Sequence, residues 1–580
     1  MKNVLIANRG EIALRVIRAC RDHGIGAVAV YADADADAPY LRLADAAYAL
    51  PGKTPAETYL NIPALLDIAR RAGADAVHPG YGFLSESAEF ARAVADAGLI
   101  WIGPSPEAIA RLGDKIAARE IARKVGAPLV PGSDGPVRGG DEIRAFVAEH
   151  GLPVAIKASA GGGGRGMRVV RETAEIDELF AAAASEARTA FGNGACYVER
   201  FLDRPRHIEA QVLADRHGNV VVVGLRDCSL QRRNQKLVEE APAPFLPDEL
   251  AERIATSAHD ICAEAGYTGA GTVEFLLGAD GMLSFLEVNT RLQVEHPVTE
   301  AVTGIDLVIE QFRIAEGLPL QIDAMPAPMG HAIEFRINAE DPGRGFLPTP
   351  GRITRFSPPG GPGIRLDSGV ETGSTVAGAF DSLMAKLIVT GPDRATAIAR
   401  ARRALAEFRI EGVASVLPFA RAVIEAPDFN GTAPFTVHTR WIETDFAADL
   451  DAALRVPEAE DSVLRLPVEI DGERRDLGLS AGALGRLAGA LGASAPAPHI
   501  GLAQPATEAA DGLRAPVAGT LTRWLVADGE TVAGGQPVAV IEAMKMEMTL
   551  TAEKAGVLRQ RIQPGEELAE GALLAEIAAG

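Results

Sequence analysis

The sequence predicts a multidomain chain: a large α/β region, a small β-containing middle region and a C-terminal all-β sandwich. Three observations lead to this prediction. Short apolar strands alternate with amphipathic helices over about the first 440 residues. An Ala/Pro-rich stretch at 484–511 has no hydrophobic period. The last seventy residues contain an internal repeat. The 580 residues, 47% hydrophobic and 23% charged, allow about four domains and exclude a disordered or fibrous chain.

The charge balance limits the kind of partner. With 57 basic and 78 acidic residues the net charge is −21, which argues against a nucleic-acid or anionic membrane partner, because either needs a basic surface. An anionic substrate therefore requires a locally basic site. The four cysteines, Cys20, Cys196, Cys228 and Cys262, are far apart and predict neither a disulfide framework nor a zinc site. We find no signal peptide or membrane span and expect a cytoplasmic protein.

The first hundred residues predict a parallel, doubly wound sheet. An apolar strand at 4–7 is followed by a helical period over 11–21 and a second strand at 27–31. The first strand-to-helix turn, Asn8-Arg9-Gly10-Glu11, lacks the GxGxxG pattern of dinucleotide-binding proteins. A nicotinamide-dependent dehydrogenase is therefore disfavoured.

The C-terminal region predicts a hairpin, a linker and a two-sheet sandwich. Within 446–483 one hairpin is expected, with strands at 464–470 and 475–479 around Asp471-Gly472. Residues 484–511 are expected to be a linker. Segments 518–521 and 535–541 recur at 555–558 and 571–577, so two copies would pack as a pseudo-twofold sandwich. Lys545 lies between the copies, where a hairpin tip would expose it to acylation; the alternative is an ordinary solvated lysine.

A second hairpin predicts a metal site. Strands at 272–277 and 282–288 flank the turn Gly278-Ala279-Asp280-Gly281. In that register Glu274 faces Phe285 and lies diagonal to Glu287 on the same face. Such carboxylates repel unless a cation lies between them, and with Asn289 they suit Mg²⁺. The alternative is an exposed strand face with ordinary charges.

Polar residues continue beyond this hairpin at every second position: Glu287, Asn289, Arg291, Gln293 and Glu295. If the segment stays extended, these side chains share one face. An anion could then bind between Arg291 and a metal, with Glu295 as a base.

Other candidates for anion binding are distributed along the chain. A glycine-rich loop at 161–166 follows the strand that ends at Lys157 and could bind phosphate, although it is not a Walker A loop. A basic group comprises Arg226, Arg232, Arg233 and Lys236, and Arg336 lies on a later strand. Solvated surface charge is the alternative for these cations. His207 alternates with Glu209 and is more often structural at such a position.

Several motifs along the chain resemble those of a known family. Ala543-Met544-Lys545-Met546 in a β-repeat resembles the biotin-attachment site of biotin carboxyl carrier domains; the related lipoyl domains usually lack methionines on both sides of the lysine. Residues 1–445 resemble biotin carboxylase, an ATP-grasp enzyme. The motifs that carry this resemblance are residues 7–13, 78–82, 113–115, the glycine loop, 231–236 and 287–297. The order of these modules resembles the α-subunit of an acyl-CoA carboxylase.

The resemblance implies a domain organisation. It comprises an α/β N-terminal domain at 1–114, an α+β ATP-grasp domain at 115–330 with a lid at about 130–203, and an α+β biotin carboxylase C-terminal domain at 331–445. A reduced β-subunit-docking element at 446–483, the linker at 484–511 and an all-β biotinyl/lipoyl-type carrier domain at 512–580 follow.

The resemblance also implies roles for individual residues. ATP is the substrate that activates bicarbonate, and biotin is carried covalently on Lys545. Glu274, Glu287 and Asn289 would hold Mg²⁺ or Mn²⁺. Lys236, Arg291, Gln293 and the Val294 backbone would hold bicarbonate, with Glu295 as its base and Arg336 stabilising the enolate oxygen of biotin. The implied nucleotide-binding residues are Lys115, Lys157, Gly162, Gly163, Gly164, Gly166, Glu199, Leu202, His207 and Gln231.

The implied partners are a separate carboxyltransferase β-subunit, with which the chain would form a multimeric holoenzyme, and a biotin protein ligase. The β-subunit chooses the acceptor, so acetyl-CoA, propionyl-CoA, methylcrotonyl-CoA and pyruvate remain open, the first two being favoured by resemblance. A carrier with a dead catalytic half is the alternative function; intact Lys236, Arg291, Glu295 and Arg336 argue against it. Asn234 replaces a histidine of many free-standing biotin carboxylases, and its consequence is open.

Overall fold

A computed structural model of the chain describes residues 1–158, 167–191, 194–431, 435–446, 464–470, 473–479, 512–517, 519–544, 546–569 and 571–578. The chain divides into a first unit, Met1–Asp341 with Pro348–Ala447, and a second unit, Pro342–Leu347 with Ala448–Gly580. The predicted linker at 484–511, the glycine loop and the turn residues Asp471 and Gly472 lie outside the described residues.

The N-terminal part of the first unit is a parallel five-stranded sheet with helices on both faces. Its strands are β1 (Asn3–Ile6), β2 (Gly26–Tyr31), β3 (Ala46–Ala49), β4 (Ala76–His78) and β5 (Ile100–Trp101), in the order β3-β2-β1-β4-β5. Its helices are α1 (Gly10–His23), α2 (Ile62–Ala72), α3 (Ala88–Asp96) and α4 (Pro106–Gly113). Val4 and Ile6 pack in a core with α1, whereas Leu5 packs in a separate core with α2 and α3. The doubly wound prediction is confirmed.

A small antiparallel sheet follows. It comprises β6 (Val154–Ala158), β7 (Met167–Val170) and β8 (Cys196–Arg200) in the order β7-β6-β8. The helices of this part are α5 (Lys115–Lys124), α6 (Gly140–His150) and α7 (Ile176–Phe191). Ile156 and Val198 of this sheet form one core with Ile143 of α6 and Ala183 of α7.

The largest sheet has eight antiparallel strands. They are β9 (Arg206–Ala214), β10 (Val220–Arg232), β11 (Gln235–Ala241), β12 (Gly269–Leu277), β13 (Leu283–Asn289), β14 (His331–Asn338), β19 (Ile364–Ser368) and β21 (Leu383–Gly391), in the order β13-β12-β9-β10-β11-β14-β21-β19. Short strands outside this sheet are β15 (Glu340–Asp341), β16 (Leu347–Pro348), β17 (Gly351–Arg352), β18 (Arg355–Ser357), β20 (Thr375–Val376) and β22 (Arg409–Glu411). The helices are α8 (Asp248–Ala265), α9 (His296–Thr303), α10 (Leu307–Ala315), α11 (Arg394–Glu407), α12 (Leu417–Glu425), α13 (Pro427–Asn430) and α14 (Trp441–Thr444). Because β11 pairs with β14, strands on both sides of residue 330 belong to one sheet.

The second unit contains a hairpin and a sandwich. The hairpin pairs β23 (Leu464–Ile470) with β24 (Glu473–Leu479), so its second strand begins two residues earlier than predicted. The sandwich strands are β25 (Gly512–Arg514), β26 (Gly519–Trp524), β27 (Thr531–Val532), β28 (Pro537–Ala543), β29 (Met546–Thr551), β30 (Gly556–Gln560), β31 (Glu567–Leu568) and β32 (Leu573–Ala578). They form two four-stranded sheets, β25-β32-β30-β27 and β29-β28-β26-β31, which confirms the sandwich.

Two expectations concern the whole described chain. Among the described residues, no helix has the length and apolar character needed to cross a membrane. All four cysteines are buried and free, in agreement with the predicted absence of a disulfide framework.

Candidate functional site

Glu274 on β12 and Glu287 on β13 lie directly opposite each other. The predicted register, with Glu274 opposite Phe285, is wrong by two residues. The turn is one residue longer than expected, because the Gly278 N–H donates to the Met282 carbonyl (2.8 Å). A β-bulge beside Glu274 adds the second residue of the shift. The two carboxylates are therefore closer neighbours than the sequence pattern indicated.

Glu274 is buried and surrounded by donors. Its Oε1 accepts from Asn289 Nδ2 (2.6 Å), Gln293 Nε2 (2.8 Å) and Lys236 Nζ (3.0 Å), and its Oε2 lies 2.8 Å from His207 Nε2. Burial alone would raise its pKa, but Lys236 and His207 outweigh that effect and hold the pKa well below its usual range. Glu274 is therefore an ionised carboxylate.

Glu287 has the opposite electrostatic environment. Burial and the charge of Glu274 raise the pKa of its carboxyl, and the cation it meets, Lys115 Nζ, is 4.0 Å from its Oε2. A divalent cation would relieve this repulsion. Together with Asn289, the pair supplies the oxygen ligands that Mg²⁺ prefers. The donor set fits the implied metal.

Lys236 is the centre of a ring of carboxylates. Its ammonium is 2.9 Å from Glu295 Oε1 and 3.0 Å from Glu274 Oε1, and it also donates to Glu209. Burial lowers the pKa of Lys236, but the three carboxylates raise it well above its usual range. The residue is a fixed cation.

Arg226 lies deeper in the same cluster. The sequence allowed either an anion-binding residue or a solvated surface charge at this position, and the structure shows neither. It is fully buried because its guanidinium is saturated by protein acceptors. These acceptors are Glu209 Oε2 (2.9 Å), Gln211 Oε1 (2.7 Å), Gln293 Oε1 (2.7 Å), Thr299 Oγ1 (3.0 Å) and Thr272 Oγ1 (3.2 Å). Its role is to hold Glu209 and Gln293 in place.

The segment after Asn289 does not remain extended, so the prediction of one polar face through Glu295 is wrong. β13 ends at Asn289 and α9 begins at His296, with Pro297 in its first turn. Proline favours the first turn of a helix, so Pro297 indicates a helix start and not a continuing strand at this point. The polar side chains still converge, because the turn carries Gln293 and Glu295 back toward Lys236.

Glu295 and Arg336 form the second half of the cluster. Arg336 Nη2 donates to Glu295 Oε2 (2.9 Å), and Arg336 Nε donates to Glu239 Oε1 (2.6 Å). Burial raises the pKa of Glu239 to about 7, against the opposing effect of Arg336. Arg336 is therefore held between two carboxylates, of which Glu295 faces Lys236.

Arg291 and Val294 border this cluster. Arg291 Nε donates to Glu86 Oε2 (3.2 Å), and Arg291 Nη2 donates to Asn289 Oδ1 (3.0 Å). The carbonyl of Val294 accepts from Lys386 Nζ (2.9 Å). Direct contacts therefore link six of the predicted metal and bicarbonate residues: Lys236, Glu274, Asn289, Arg291, Gln293 and Glu295. Glu287 lies opposite Glu274 on the neighbouring strand, and Val294 directly precedes Glu295 in the chain.

The implied nucleotide residues fall into two groups. Lys157 forms an ion pair with Glu199 in the small sheet, and the buried Leu202 follows that sheet. Gln231 Nε2 lies 3.4 Å from His207 Nδ1 in the large sheet. Gly162, Gly163, Gly164 and Gly166 lie outside the described residues.

Lys545 also lies outside the described residues. The strands on either side of it are described: β28 ends at Ala543, which pairs with Met546 at the start of β29. Met544 is buried and has a left-handed backbone, with φ of 49°. The short connection between β28 and β29 agrees with the predicted hairpin.

Three buried charged residues of the cluster received no role from the sequence: Glu209, Glu239 and Lys386. Lys386 interrupts the apolar run Leu383-Met384-Ala385-Lys386-Leu387-Ile388-Val389. A charge in a buried strand requires a partner, so that signal could have marked Lys386. Glu209 and Glu239 lie on strands that carry several other polar residues, and no such signal distinguishes them.

Four family models match the chain. They are "Biotin carboxylase, N-terminal domain" over residues 1–109, "Carbamoyl-phosphate synthase L chain, ATP binding domain" over 114–323, "Biotin carboxylase C-terminal domain" over 334–444, and "Biotin-requiring enzyme" over 511–577.

Similar proteins cover the chain to different extents. The biotin-dependent acyl-coenzyme A carboxylase alpha3 subunit of Mycobacterium leprae is 56% identical over 590 residues, covering 99% of this chain and 98% of that protein. The biotin carboxylase of Nostoc sp. is 53% identical over 427 residues, covering 73% of this chain and 96% of its own length. A solved structure of the biotin carboxylase domain of Hydrogenobacter thermophilus 2-oxoglutarate carboxylase, with MgADP, ADP and bicarbonate, has a TM-score of 0.70 at 45% identity, covering 76% of this chain and 97% of that one.

Proposed function

Because this chain belongs to the family of biotin-dependent acyl-CoA carboxylase α-subunits, we propose that the cluster around Lys236 carboxylates a biotin carried on Lys545 of the same chain. The chain is an ATP-dependent biotin carboxylase fused to a biotin carrier domain. The observation that carries the assignment is the meeting of Lys236 and Arg336 on the carboxylate of Glu295, at 2.9 Å each. Lys236 and Arg336 supply the positive charge that an anionic substrate needs in an otherwise acidic protein, and Glu295 supplies a base.

Glu295 is the proposed base that takes the proton of bicarbonate when bicarbonate attacks the terminal phosphoryl group of ATP. Burial raises the pKa of Glu295, but Lys236 and Arg336 outweigh it and hold the pKa well below its usual range. The carboxylate is therefore ionised and able to accept a proton. An anion bound against Lys236 weakens that cation's effect on Glu295, which strengthens the base at the moment it is needed.

Bicarbonate would be held by Lys236, Arg291, Gln293 and the Val294 N–H. Gln293 is already fixed, because its Oε1 accepts from Arg226 (2.7 Å) and its Nε2 donates to Glu274 (2.8 Å). Arg291 would exchange its contact with Glu86 for the substrate. Gln293, by contrast, is a preorganised donor that needs no reorientation during the reaction.

ATP would be held by residues of both sheets, Lys157 in the small sheet and His207 in the large one. The other residues assigned to it are Lys115, Glu199, Leu202, Gln231 and the glycines at 162–164 and 166. Mg²⁺, or Mn²⁺ in its place, would be held by Glu274, Glu287 and Asn289. Bound there, it would neutralise phosphate charge that the protein's cations alone leave unmatched.

Biotin, once attached, supplies a ureido nitrogen that accepts and carries the carboxyl group. Arg336 is the residue that would stabilise negative charge on the ureido oxygen, as an oxyanion hole does. Its guanidinium is oriented for this by Glu239, which accepts from Nε at 2.6 Å. A biotin protein ligase would attach the group to Lys545.

The partner that completes the reaction is a carboxyltransferase subunit, because no family model matched to the chain supplies that activity. We assign β-subunit docking to residues 446–483, of which Phe446 and the β23–β24 hairpin are described, and acetyl-CoA or propionyl-CoA as acceptor. Deleting 448–483, which keeps the buried Phe446 stacked on Trp441, should abolish co-purification with the β-subunit while free-biotin carboxylation stays within about twofold. Full co-purification of the deleted chain would contradict the assignment.

The proposed function is tested by transfer of labelled bicarbonate onto the purified, biotinylated full chain. We expect label that requires ATP and Mg²⁺ and is blocked by avidin. Controls omit ATP or add a chelator. A chain shown by mass to carry biotin, yet unlabelled with and without the β-subunit, would indicate a carrier with an inactive catalytic half.

A further inference from the structure

Lys386 is a fully buried lysine in the middle of the apolar strand β21. Its ammonium donates to the carbonyl of Val294 at 2.9 Å, and lies 3.2 Å from Glu11 Oε2 and 4.0 Å from Asp367 Oδ2. It also lies 5.7 Å from the centre of the Tyr81 ring. A buried ammonium has three donors to satisfy, and Asp367 at 4.0 Å is too distant for a hydrogen bond. The Val294 carbonyl is therefore a hydrogen-bond acceptor that this lysine needs, and the contact ties the lysine to the turn before α9.

The sheet register places this lysine beside the catalytic cluster. Lys386 on β21 is the direct partner of Arg336 on β14 and of Asp367 on β19. Two neighbouring cations of one sheet thus reach two successive residues of one turn: Arg336 contacts the Glu295 carboxylate, and Lys386 contacts the Val294 carbonyl. Each fixes a different part of the same chain segment.

The anionic partners of Lys386 come from separate elements. Glu11 lies at the start of α1, whereas Asp367 lies on β19 and also accepts two hydrogen bonds from Arg365. Gly369, just after β19, allows close approach, because a Cβ there would meet the Glu11 nitrogen at 2.6 Å. The ammonium is therefore held from two sides and cannot follow a displaced turn.

We propose that Lys386 is a positioning residue for carboxylation: by holding the Val294 carbonyl it fixes the backbone that presents the Val294 N–H to bicarbonate and the Glu295 carboxylate to its proton. This inference rests on the proposed function of the cluster. The carbonyl and the N–H of Val294 belong to the two peptide groups on either side of its Cα, and only the φ and ψ angles of Val294 separate them, so holding the carbonyl narrows the positions open to the N–H. The peptide fixed by Lys386 is also the one that carries Glu295.

Lys386→Met tests the inference in the full chain, through steady-state bicarbonate-dependent ATP cleavage. We expect kcat/KM for bicarbonate to fall about 10- to 100-fold, since misplacement of a reacting group by about 1 Å can reduce a rate 100-fold. The KM for ATP should stay within twofold of the wild type. If Lys386 had a purely structural role, its loss would impair the kinetic constants for bicarbonate and for ATP alike.

Removing one member of a buried ion pair can unfold a protein, so two further variants accompany Lys386→Met. Lys386→Met with Glu11→Gln removes both charges, leaves Asp367 paired with Arg365, and should keep the bicarbonate defect. Glu11→Gln alone leaves the contact with Val294 and should stay within about threefold of the wild type. Arg394→Met with Glu240→Gln is the matched control, because that buried pair (2.7 Å) does not contact the turn.

Two results would overturn the inference. One is a folded double variant whose kcat/KM for bicarbonate stays within twofold of the wild type. The other is a loss in Glu11→Gln equal to that in Lys386→Met, because the ion pair and not the Val294 contact would then be responsible. Absence of bicarbonate-dependent ATP cleavage in the wild type would instead refute the proposed function.

Discussion

Glu295→Gln should reduce bicarbonate-dependent ATP cleavage by about 10²- to 10⁴-fold, the usual contribution of a general base. The amide keeps the shape of the side chain but cannot take a proton. Its two cations retain other acceptors, because Lys236 still contacts Glu209 and Glu274, and Arg336 still contacts Glu239. The variant should therefore fold, and its defect should be chemical.

The control for this variant lies on the adjoining helix. Glu300 is buried on α9 and accepts from Arg15 and Arg365 at 2.8 Å each. Glu300→Gln removes a comparable charge away from the cluster and should leave the rate within about twofold. The readouts are single-turnover ATP cleavage with saturating bicarbonate and the thermal midpoint. A folded Glu295→Gln chain with the wild-type rate would remove Glu295 from the mechanism.

The parts of the fold that follow from periodicity could be predicted from the sequence. The strand-helix alternation before residue 100 predicted the parallel sheet correctly. In the structure Val4 and Ile6 pack against one layer of helices and Leu5 packs against the other, so the strand is buried on both faces. The repeat after residue 512 gave the two sheets of the sandwich. In both regions the pattern and the burial have the same period.

The convergence of the site could be predicted only in part. The pairing of Glu274 with Glu287 depends on a longer turn and a β-bulge, and neither can be recognised from the alternation of polar residues. The position of Glu295 depends on a turn into α9, where the sequence suggested a continuing strand. Contacts such as that of Lys386 with Glu11 join residues far apart in the sequence, so they cannot be predicted from local periodicity.

The resemblance to a family supplied residue roles that the pattern could not. From the pattern alone Lys236 and Arg336 are only cations on apparent strands, and it is the family resemblance that assigns them to bicarbonate and to biotin. The structure supports the grouping by bringing both onto Glu295. It also adds Glu209, Glu239 and Arg226, which orient these side chains and follow from no motif.

Lys545→Arg should abolish biotin attachment and with it all transfer of label onto the chain, while carboxylation of free biotin stays within about twofold. Arginine keeps the positive charge but its guanidinium is a poor nucleophile for acylation, because it stays protonated. The residues proposed for the chemistry, from Lys115 to Arg336, all belong to the first unit, whereas Lys545 belongs to the second. The two activities should therefore separate in a single substitution.

The measurement compares biotin content by intact mass, label on the chain, and label on added free biotin. Lys554→Arg is the matched control, since it changes another lysine of the carrier domain, nine residues further on, and should keep full biotinylation. If Lys545→Arg still acquired biotin, the attachment site would be elsewhere. If free-biotin carboxylation fell together with attachment, the two units would not act as separate modules, and the cluster around Lys236 would depend on an intact carrier.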